Sequence, residues 1–299
     1  MTNVTATQKR RALRDLLKGT RAVRAPGIYD AYGARLVEQA GFSAVYMTGN
    51  GVSASLLGRP DVGLIDLTLM TDHARRVAGS VSIPLICDAD TGYGNVVNVR
   101  RTIAEFEAAG VAAIHMEDQI SPKRCAQMPG DRSVLDFDEA VSKIAAASAA
   151  RSDPEFVLIA RTDSAGALGL AEAIRRVRAF AQEGADAVFV ELKASPSLLE
   201  DIAAIKAAVN VPVVVNMDSG GALAGLSFDA MKAAGIDLGI YPAMARGAFG
   251  FAMTAALGHL SKEGNMKGFA GQMFNSAQYN AALGIDEIEA WEKRFDRKS

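Results

Sequence analysis

Apolar residues recur along this chain in short continuous runs, and most of these runs follow a helical segment. Four segments share one pattern, in which a helix end is followed by glycine and then by a short apolar strand, at 40–46, 109–115, 183–189 and 234–241. Glycine commonly ends a helix because it adopts the left-handed conformation at little cost. Three further apolar runs, at 83–87, 156–160 and 211–215, are short and mostly β-branched. Such runs are typical of strands buried on both faces.

With one more strand at 27–30, the pattern contains eight strands separated by helical segments. The helices are predicted at 31–40, 67–78, 96–109, 137–150, 168–183, 197–208 and 228–234. This alternation predicts an α/β fold, a (β/α)8 barrel of the TIM type. The competing doubly wound sheet would carry a glycine-rich dinucleotide loop after its first strand, and this chain has none there.

Both ends of the chain continue beyond this pattern, within a single predicted domain spanning 1–299. About the first 26 residues form a basic lead-in in which Leu13, Leu16 and Leu17 recur at helical spacing. That spacing favours a short amphipathic helix at 9–18 over a transit peptide. From about 243 to 299 a C-terminal extension is helical in pattern, with a glycine-rich kink at 264–271.

Charge and cysteine content exclude several classes of protein. The net charge is −2, from 32 basic and 34 acidic residues, so the chain lacks the basic field that a nucleic-acid binder needs. No apolar run approaches the ~18 residues that span a membrane. The two cysteines cannot form a disulfide framework, so a reducing compartment, the cytoplasm, is expected.

Polar residues gather where the predicted strands end. In a (β/α)8 barrel these ends form one face, and that face carries the active site. Seven polar strand ends on one face therefore predict a binding pocket. They are Tyr46, Thr48, Gly49 and Asn50 after the second strand, Asp88 and Asp90 after the third, Glu117 after the fourth, Arg161 after the fifth, Glu191 after the sixth, Asn216 after the seventh and Tyr241 after the eighth.

Three of these residues predict a metal site. Asp88 and Asp90 are two positions apart on a predicted strand, so both side chains would point the same way, with Glu117 beside them. Three converging carboxylates repel one another unless a cation lies between them. Oxygen ligands favour Mg²⁺, or Mn²⁺, over zinc. The alternative is that the aspartates cap the next helix or pair with arginines.

A loop of about 18 residues, at 119–136, follows the fourth strand and carries Cys125 directly after Lys123 and Arg124. Long loops of this kind are often lids, and two adjacent cations favour the thiolate. Cys87 lies inside an apolar run and is expected to pack in the core. His115 is likewise expected to pack in the core. The alternative is that it lies beside Glu117 and helps to position that side chain.

Five motifs together resemble the isocitrate lyase / phosphoenolpyruvate mutase superfamily, and within it the 2-methylisocitrate lyase-like branch. They are TGNG at 48–51, DADTGYG at 88–94, EDQ at 117–119, SPKRC at 121–125 and ARTD at 160–163. The resemblance implies a barrel enzyme with Mg²⁺ that cleaves a carbon–carbon bond in a 2-hydroxy di- or tricarboxylate. The products would be a 2-oxo acid and a dicarboxylate. It also implies a homotetramer in which subunits exchange their last barrel helix.

The same resemblance implies roles for individual residues. Cys125 would be the catalytic acid–base, with Lys123, Glu117 and Arg161 also catalytic and Arg161 binding a substrate carboxylate. Asp90 would be the direct metal ligand, accompanied by Asp88, and Glu117 would act through water. The substrate-binding residues would be Tyr46, the turn of Thr48, Gly49 and Asn50 with its backbone N–H groups, Asp61, Arg124, Gln127, Glu191 and Asn216.

One motif departs from the branch. Lyases of this kind carry Lys-Arg-Cys-Gly-His in the loop, whereas this chain has Ala126 and Gln127 after Cys125. Gln127 can donate a hydrogen bond but carries no charge, so the identity of the substrate stays open. Decarboxylation or hydrolysis of oxaloacetate and the processing of phosphonopyruvate remain alternatives, as does a non-catalytic relative.

Overall fold

The computed structural model describes residues 4–125, 132–219 and 221–296. Within these ranges eight parallel strands close into a barrel in sequence order, and the eighth strand pairs with the first. The predicted (β/α)8 architecture is therefore confirmed. The strands β1 to β8 are Val23–Ile28, Val45–Met47, Leu85–Asp88, Ala113–Glu117, Val157–Thr162, Ala187–Val190, Val213–Asn216 and Leu238–Tyr241.

Helices alternate with these strands around the barrel. Four glycines follow helices with φ between 80° and 95°, at Gly41, Gly110, Gly184 and Gly235, where a side chain would be strained. The helix stops predicted at these glycines are thus confirmed. The helices α1 to α13 are Ala6–Lys18, Ala31–Gln39, Gly49–Leu57, Leu67–Ser80, Val96–Ala108, Phe137–Ala150, Ser164–Leu168, Leu170–Gln182, Leu198–Ala208, Phe228–Ala233, Met244–Glu263, Ser276–Leu283 and Ile285–Phe295.

The helix predicted at 168–183 is α8, and the short helix α7 precedes it on the other side of Gly169, whose φ is 86°. Two local predictions were wrong. Strand β1 begins at Val23 rather than at 27, because it pairs with β8 from Val23 onward. Residues 48–50 are not a free turn, since α3 begins at Gly49.

Buried apolar side chains form two layers. One layer lies between strands and helices and includes Phe106 and Phe180. The other fills the barrel interior, where Leu13 and Leu17 of α1 join side chains from the strands. The amphipathic helix that the leucine spacing predicts is thus present as α1. It covers the amino-terminal end of the barrel and leaves the carboxyl ends of the strands open for a site.

The C-terminal extension is helical, in agreement with the pattern. Helix α11 has no buried residue, and it exposes Phe249 and Phe251 at 59% and 82%. Helix α12 packs against α2, where the rings of Tyr279 and Tyr32 lie 5.6 Å apart. In the described parts of the chain no helix is long and apolar enough to cross a membrane.

Candidate active site

A cavity opens at the carboxyl ends of the strands and brings together most of the predicted site residues. Five residues that the sequence analysis did not single out also line it, namely Gln119, Phe189, Ile240, Pro242 and Arg246. Gln127 lies outside the described residues. The predicted residues that line the cavity are Tyr46, Thr48, Asn50, Asp61, Asp88, Glu117, Lys123, Arg124, Cys125, Arg161, Glu191 and Asn216.

Asp88 is the last residue of β3, and its carboxylate is held from two sides. The backbone N–H of Gly49 donates to Oδ2 at 3.2 Å, and that of Asp90 donates to Oδ1 at 3.0 Å. A Cβ atom on Gly49 would lie 2.7 Å from Oδ2, so only glycine permits this approach. Of the backbone N–H groups at 48–50 that are predicted to face substrate, that of Gly49 is thus bound to Asp88.

The charge of Asp88 is stabilised by its surroundings. Burial alone would raise the pKa of this carboxyl group. The neighbouring His115, Lys123 and Arg161, together with the Asp90 N–H, outweigh burial and hold the pKa below its ordinary value. Asp88 is therefore an ionised oxygen donor that faces the cavity.

Asp90 lies beyond the end of β3, in a turn where its φ is 49°. The prediction that Asp88 and Asp90 point the same way from one strand is therefore wrong, although both side chains are buried. Lys123 Nζ lies 2.5 Å from Asp90 Oδ1 and 2.7 Å from Asp61 Oδ2. Burial and the nearby carboxylates raise the pKa of Asp90 to about 7 against the opposing effect of Lys123. Lys123 thus holds two carboxylates together.

Glu117 and Arg161 are register partners on β4 and β5. Arg161 Nε lies 3.3 Å from Glu117 Oε2 and 2.9 Å from Asp163 Oδ2, while its Nη2 atom lies 3.4 Å from Glu191 Oε2. Burial raises the pKa of Glu117 well above its ordinary value despite Arg161. Protein carboxylates therefore already surround the arginine that was expected to bind substrate.

His115 is buried and packs against the rings of Tyr46 and Phe189, as expected, and it also belongs to this polar network. Its Nε2 atom lies 2.8 Å from the Tyr46 hydroxyl and 3.8 Å from Asp88 Oδ1. Burial, together with Arg161 and Lys123, lowers the pKa of His115 to about 4 against the opposing effect of Asp88. The imidazole is neutral at pH 7 and orients the Tyr46 hydroxyl at the cavity wall.

Cys125 lies at the mouth of the cavity. The Asn50 side-chain amide donates to its Sγ atom at 3.1 Å, and its backbone N–H donates to the Asp61 carbonyl at 3.3 Å. Cys87, by contrast, is fully buried, and burial raises the pKa of its thiol well above the ordinary value. The two cysteines differ as the sequence predicts, one packed in a strand and one accessible at the site.

Among the described residues, no three His, Cys, Asp or Glu side chains converge closely enough to form a metal cage. The predicted meeting of Asp88, Asp90 and Glu117 at one point is therefore not observed. Asp88 and Glu117 line the cavity, while Asp90 is bound to Lys123. On the other side, Glu191 and Asn216 lie 3.4 Å apart at the ends of β6 and β7.

Comparison with known proteins places this chain in a family. A family model described as phosphoenolpyruvate phosphomutase matches residues 13–260. The chain belongs to the phosphoenolpyruvate phosphomutase family. This membership confirms the superfamily resemblance carried by the five motifs.

Relatives of this phosphoenolpyruvate phosphomutase family member include carbon–carbon lyases. The chain is 38% identical to 2,3-dimethylmalate lyase of Eubacterium barkeri over 95% of this chain and 96% of the relative. It is 36% identical to 2-methylisocitrate lyase of Shewanella oneidensis, with 92% and 93% covered. Among solved structures, phosphonopyruvate hydrolase in complex with oxalate and Mg²⁺ is similar with a TM-score of 0.86 and 33% identity, over 96% of this chain and 99% of that one.

Proposed function

We propose that the protein is a Mg²⁺-dependent carbon–carbon lyase that cleaves a 2-hydroxy di- or tricarboxylate. The products are a 2-oxo acid, pyruvate or glyoxylate, and a dicarboxylate such as succinate. One observation carries this proposal: an accessible thiol, Cys125, opens onto the same cavity as Asp88, Glu117 and Arg161. The lyases among the relatives support it.

The donor set suits Mg²⁺. The ion prefers oxygen ligands and is commonly held by one or two carboxylates while it keeps several waters, so a three-carboxylate cage is not required. We infer that Asp88 holds the ion at the cavity wall, with Glu117 and Asp90 as the adjacent carboxylates. When bound, the ion would stabilise negative charge at the 2-oxo-acid end of the substrate. The similar hydrolase with oxalate and Mg²⁺ supports the choice of metal.

Protein side chains account for the proton transfers. Glu117 lines the cavity beside Arg161, and we infer that its carboxylate takes the proton of the substrate hydroxyl. The carbon–carbon bond then breaks, and its electron pair remains on the departing dicarboxylate fragment. The Cys125 thiol donates the proton that this carbanion needs. Arg161 stabilises the negative charge that develops meanwhile.

A substrate panel tests the activity. The purified protein is incubated with Mg²⁺ and a series of 2-hydroxy di- and tricarboxylates, and release of pyruvate or glyoxylate is followed with a coupled dehydrogenase. We expect cleavage of at least one member, its loss in EDTA and its recovery on adding Mg²⁺. Turnover confined to oxaloacetate or phosphonopyruvate, or full activity after exhaustive chelation, would contradict the proposal.

We also propose that the protein is a homotetramer. The exposed aromatic side chains of α11 lie beside an apolar groove between α2 and α11, lined by Tyr32, Leu36 and Phe249 among others. Apolar surface of this kind usually marks an interface. The resemblance implies that subunits exchange a helix here.

A further inference from the structure

One buried glutamine of the cavity wall takes no part in the proton transfers described above. Gln119 lies two residues beyond the end of β4, lines the cavity and is 2% exposed. Its backbone forms an antiparallel bridge with Val134, on the far side of the loop. Next to this bridge, the Ile120 N–H donates to the Ser133 carbonyl at 3.0 Å. The side chain of Gln119 therefore extends from a backbone that is held in place.

Both ends of the Gln119 amide are hydrogen-bonded. Its Nε2 group donates to Glu117 Oε1 at 2.8 Å, and its Oε1 atom accepts from the Arg124 backbone N–H at 3.0 Å. An ionised carboxylate accepts and a backbone N–H donates, so these partners permit only one orientation of the amide. An amide meets both demands at once, whereas an ionised glutamate of the same shape could only accept.

The first of these hydrogen bonds fixes the carboxylate of Glu117. Its Oε1 atom accepts from Gln119, while its Oε2 atom lies 3.3 Å from Arg161 Nε. Each carboxylate oxygen has a second lone pair. The group is thus held from two sides and can still accept a hydrogen bond from a substrate hydroxyl.

The second hydrogen bond holds the segment that carries the thiol. Arg124 directly precedes Cys125, and the backbone N–H groups of both residues are bonded. The Arg124 N–H donates to Gln119, and the Cys125 N–H donates to the Asp61 carbonyl at 3.3 Å. Rotation of the backbone at Arg124 would move the Cys125 Sγ atom relative to the cavity. Without the Gln119 amide, fewer bonds would hold this segment, and it would leave its position more often.

We propose that Gln119 is a positioning residue that holds the base Glu117 and the acid Cys125 in place around one substrate. Such alignment matters because misplacement of a reacting group by about 1 Å can cost ~100-fold in rate. This inference rests on the proposed lyase function, because that function makes Glu117 and Cys125 the two groups that transfer protons.

Two substitutions separate the two hydrogen bonds. Gln119→Met is similar in size and loses both bonds. Gln119→Glu keeps an oxygen that accepts from the Arg124 N–H, but it has no donor for Glu117 and places a second carboxylate beside it. Gln182→Met is the matched control, because Gln182 is an exposed glutamine at the end of α8. For the wild type and each variant, kcat and KM are measured with the substrate found in the panel. The rate of Cys125 alkylation by iodoacetamide is measured by mass spectrometry in the absence of substrate.

The expected result differs between the two measurements. In both Gln119 variants kcat should fall by ~10- to 100-fold, the range for a lost hydrogen bond to a charged group. KM should change by less than about threefold, because the substrate itself loses no partner. Alkylation of Cys125 should be ~2- to 10-fold faster in Gln119→Met, which loses a neutral hydrogen bond to the thiol segment. In Gln119→Glu it should stay close to the wild-type rate, and Gln182→Met should match the wild type throughout.

A wild-type kcat in Gln119→Glu would overturn the inference, whether or not Gln119→Met folds. A raised KM with an unchanged kcat would do so too, because it would indicate that Gln119 binds substrate and does not position its neighbours. Equal alkylation rates in Gln119→Glu and Gln119→Met would also overturn it, and if the panel reveals a substrate the lyase proposal would then stand alone. If the panel shows no cleavage while alkylation separates the two variants, the lyase proposal fails, and the role of Gln119 in holding the thiol segment stands.

Discussion

Replacement of Arg176 by methionine should unfold the protein at a markedly lower temperature. Arg176 lies in α8 and is almost fully buried. Its guanidinium group contacts Asp118 Oδ2 at 2.9 Å and Glu172 Oε1 at 3.0 Å, and donates to the Leu135 carbonyl at 2.8 Å. Arg176 therefore joins the end of β4, next to Glu117, to the segment that follows the Cys125 loop.

The size of the effect follows from burial. Removing one member of a buried ion pair typically costs about 3–5 kcal/mol. Burial already raises the pKa of Asp118, although Thr162, the Asp163 N–H and Arg176 oppose it. Without Arg176 the carboxyl group can take up a proton, which places the loss towards the lower end of that range. For a domain of this size, each kcal/mol corresponds to about 2–4 °C, so a decrease of roughly 6–15 °C is expected.

The neighbouring arginine provides a matched control. Arg175 is exposed, and it contacts Glu172 at 3.2 Å and the ring of Phe137 with its guanidinium carbon 3.5 Å from the centroid. Exposed contacts of these kinds contribute about 1 kcal/mol or less. Arg175→Met should therefore shift the melting temperature only slightly, measured by circular dichroism at one protein concentration for all variants.

A double-mutant cycle with Asp118→Asn completes the test. If the ion pair causes the loss, the double variant should be clearly more stable than the sum of the two single losses predicts. Additivity within about 0.5 kcal/mol would refute the reasoning. Equal melting temperatures for Arg176→Met and Arg175→Met would refute it as well.

Three further predictions concern the thiol, the acid stability and the assembly. Cys125→Ser should lower kcat by ~10²- to 10⁴-fold, because a hydroxyl is a far weaker acid than a thiol, and should leave oxalate binding intact. Cys87→Ala should keep the wild-type kcat, and a full rate for Cys125→Ser would favour the hydrolase or decarboxylase alternatives. Burial alone would raise the pKa of Asp237, but hydrogen bonds from Lys206 and Lys232 hold it below its ordinary value. Ionised Asp237 thus stabilises the folded protein above about pH 4, and this contribution is lost as the pH falls below that value. In Asp237→Asn the free energy of unfolding, measured with urea at a series of pH values, should fall less steeply below about pH 4 than in the wild type. An unchanged pH dependence would contradict this assignment. Light scattering at micromolar concentration should give the mass of four chains, and a monomeric mass would refute the assembly.

The repeating pattern of apolar runs and glycine stops was sufficient to predict the barrel. Each strand–helix unit is encoded by residues close together in the chain, such as Gly41 or Gly110 and the strand that follows it. Parallel strands that are buried on both faces and joined by helices can be arranged in only a few topologies. The position of polar residues after the strands also predicted one face for the site, because the carboxyl ends of parallel strands meet there.

Local patterns misplaced the elements whose ends depend on distant partners. Strand β1 begins at Val23 because β8, more than 200 residues away, pairs with it. The glycines and serines of α3 conceal its periodicity, and the helix forms where the Gly49 N–H meets Asp88.

Which ionisable side chains pair with each other in the cavity is determined by the tertiary structure alone. Lys123 and Asp61 lie far apart in the chain and meet at 2.7 Å, so the lysine that sequence places beside Cys125 holds carboxylates instead. His115 reaches Tyr46 from a neighbouring part of the barrel, and Arg246 reaches the cavity from a helix beyond the last strand. Sequence specifies which ionisable groups are present. Which of them neutralise one another depends on distances of a few ångströms across the barrel, because electrostatic interactions in a buried site fall steeply with separation and solvent exposure.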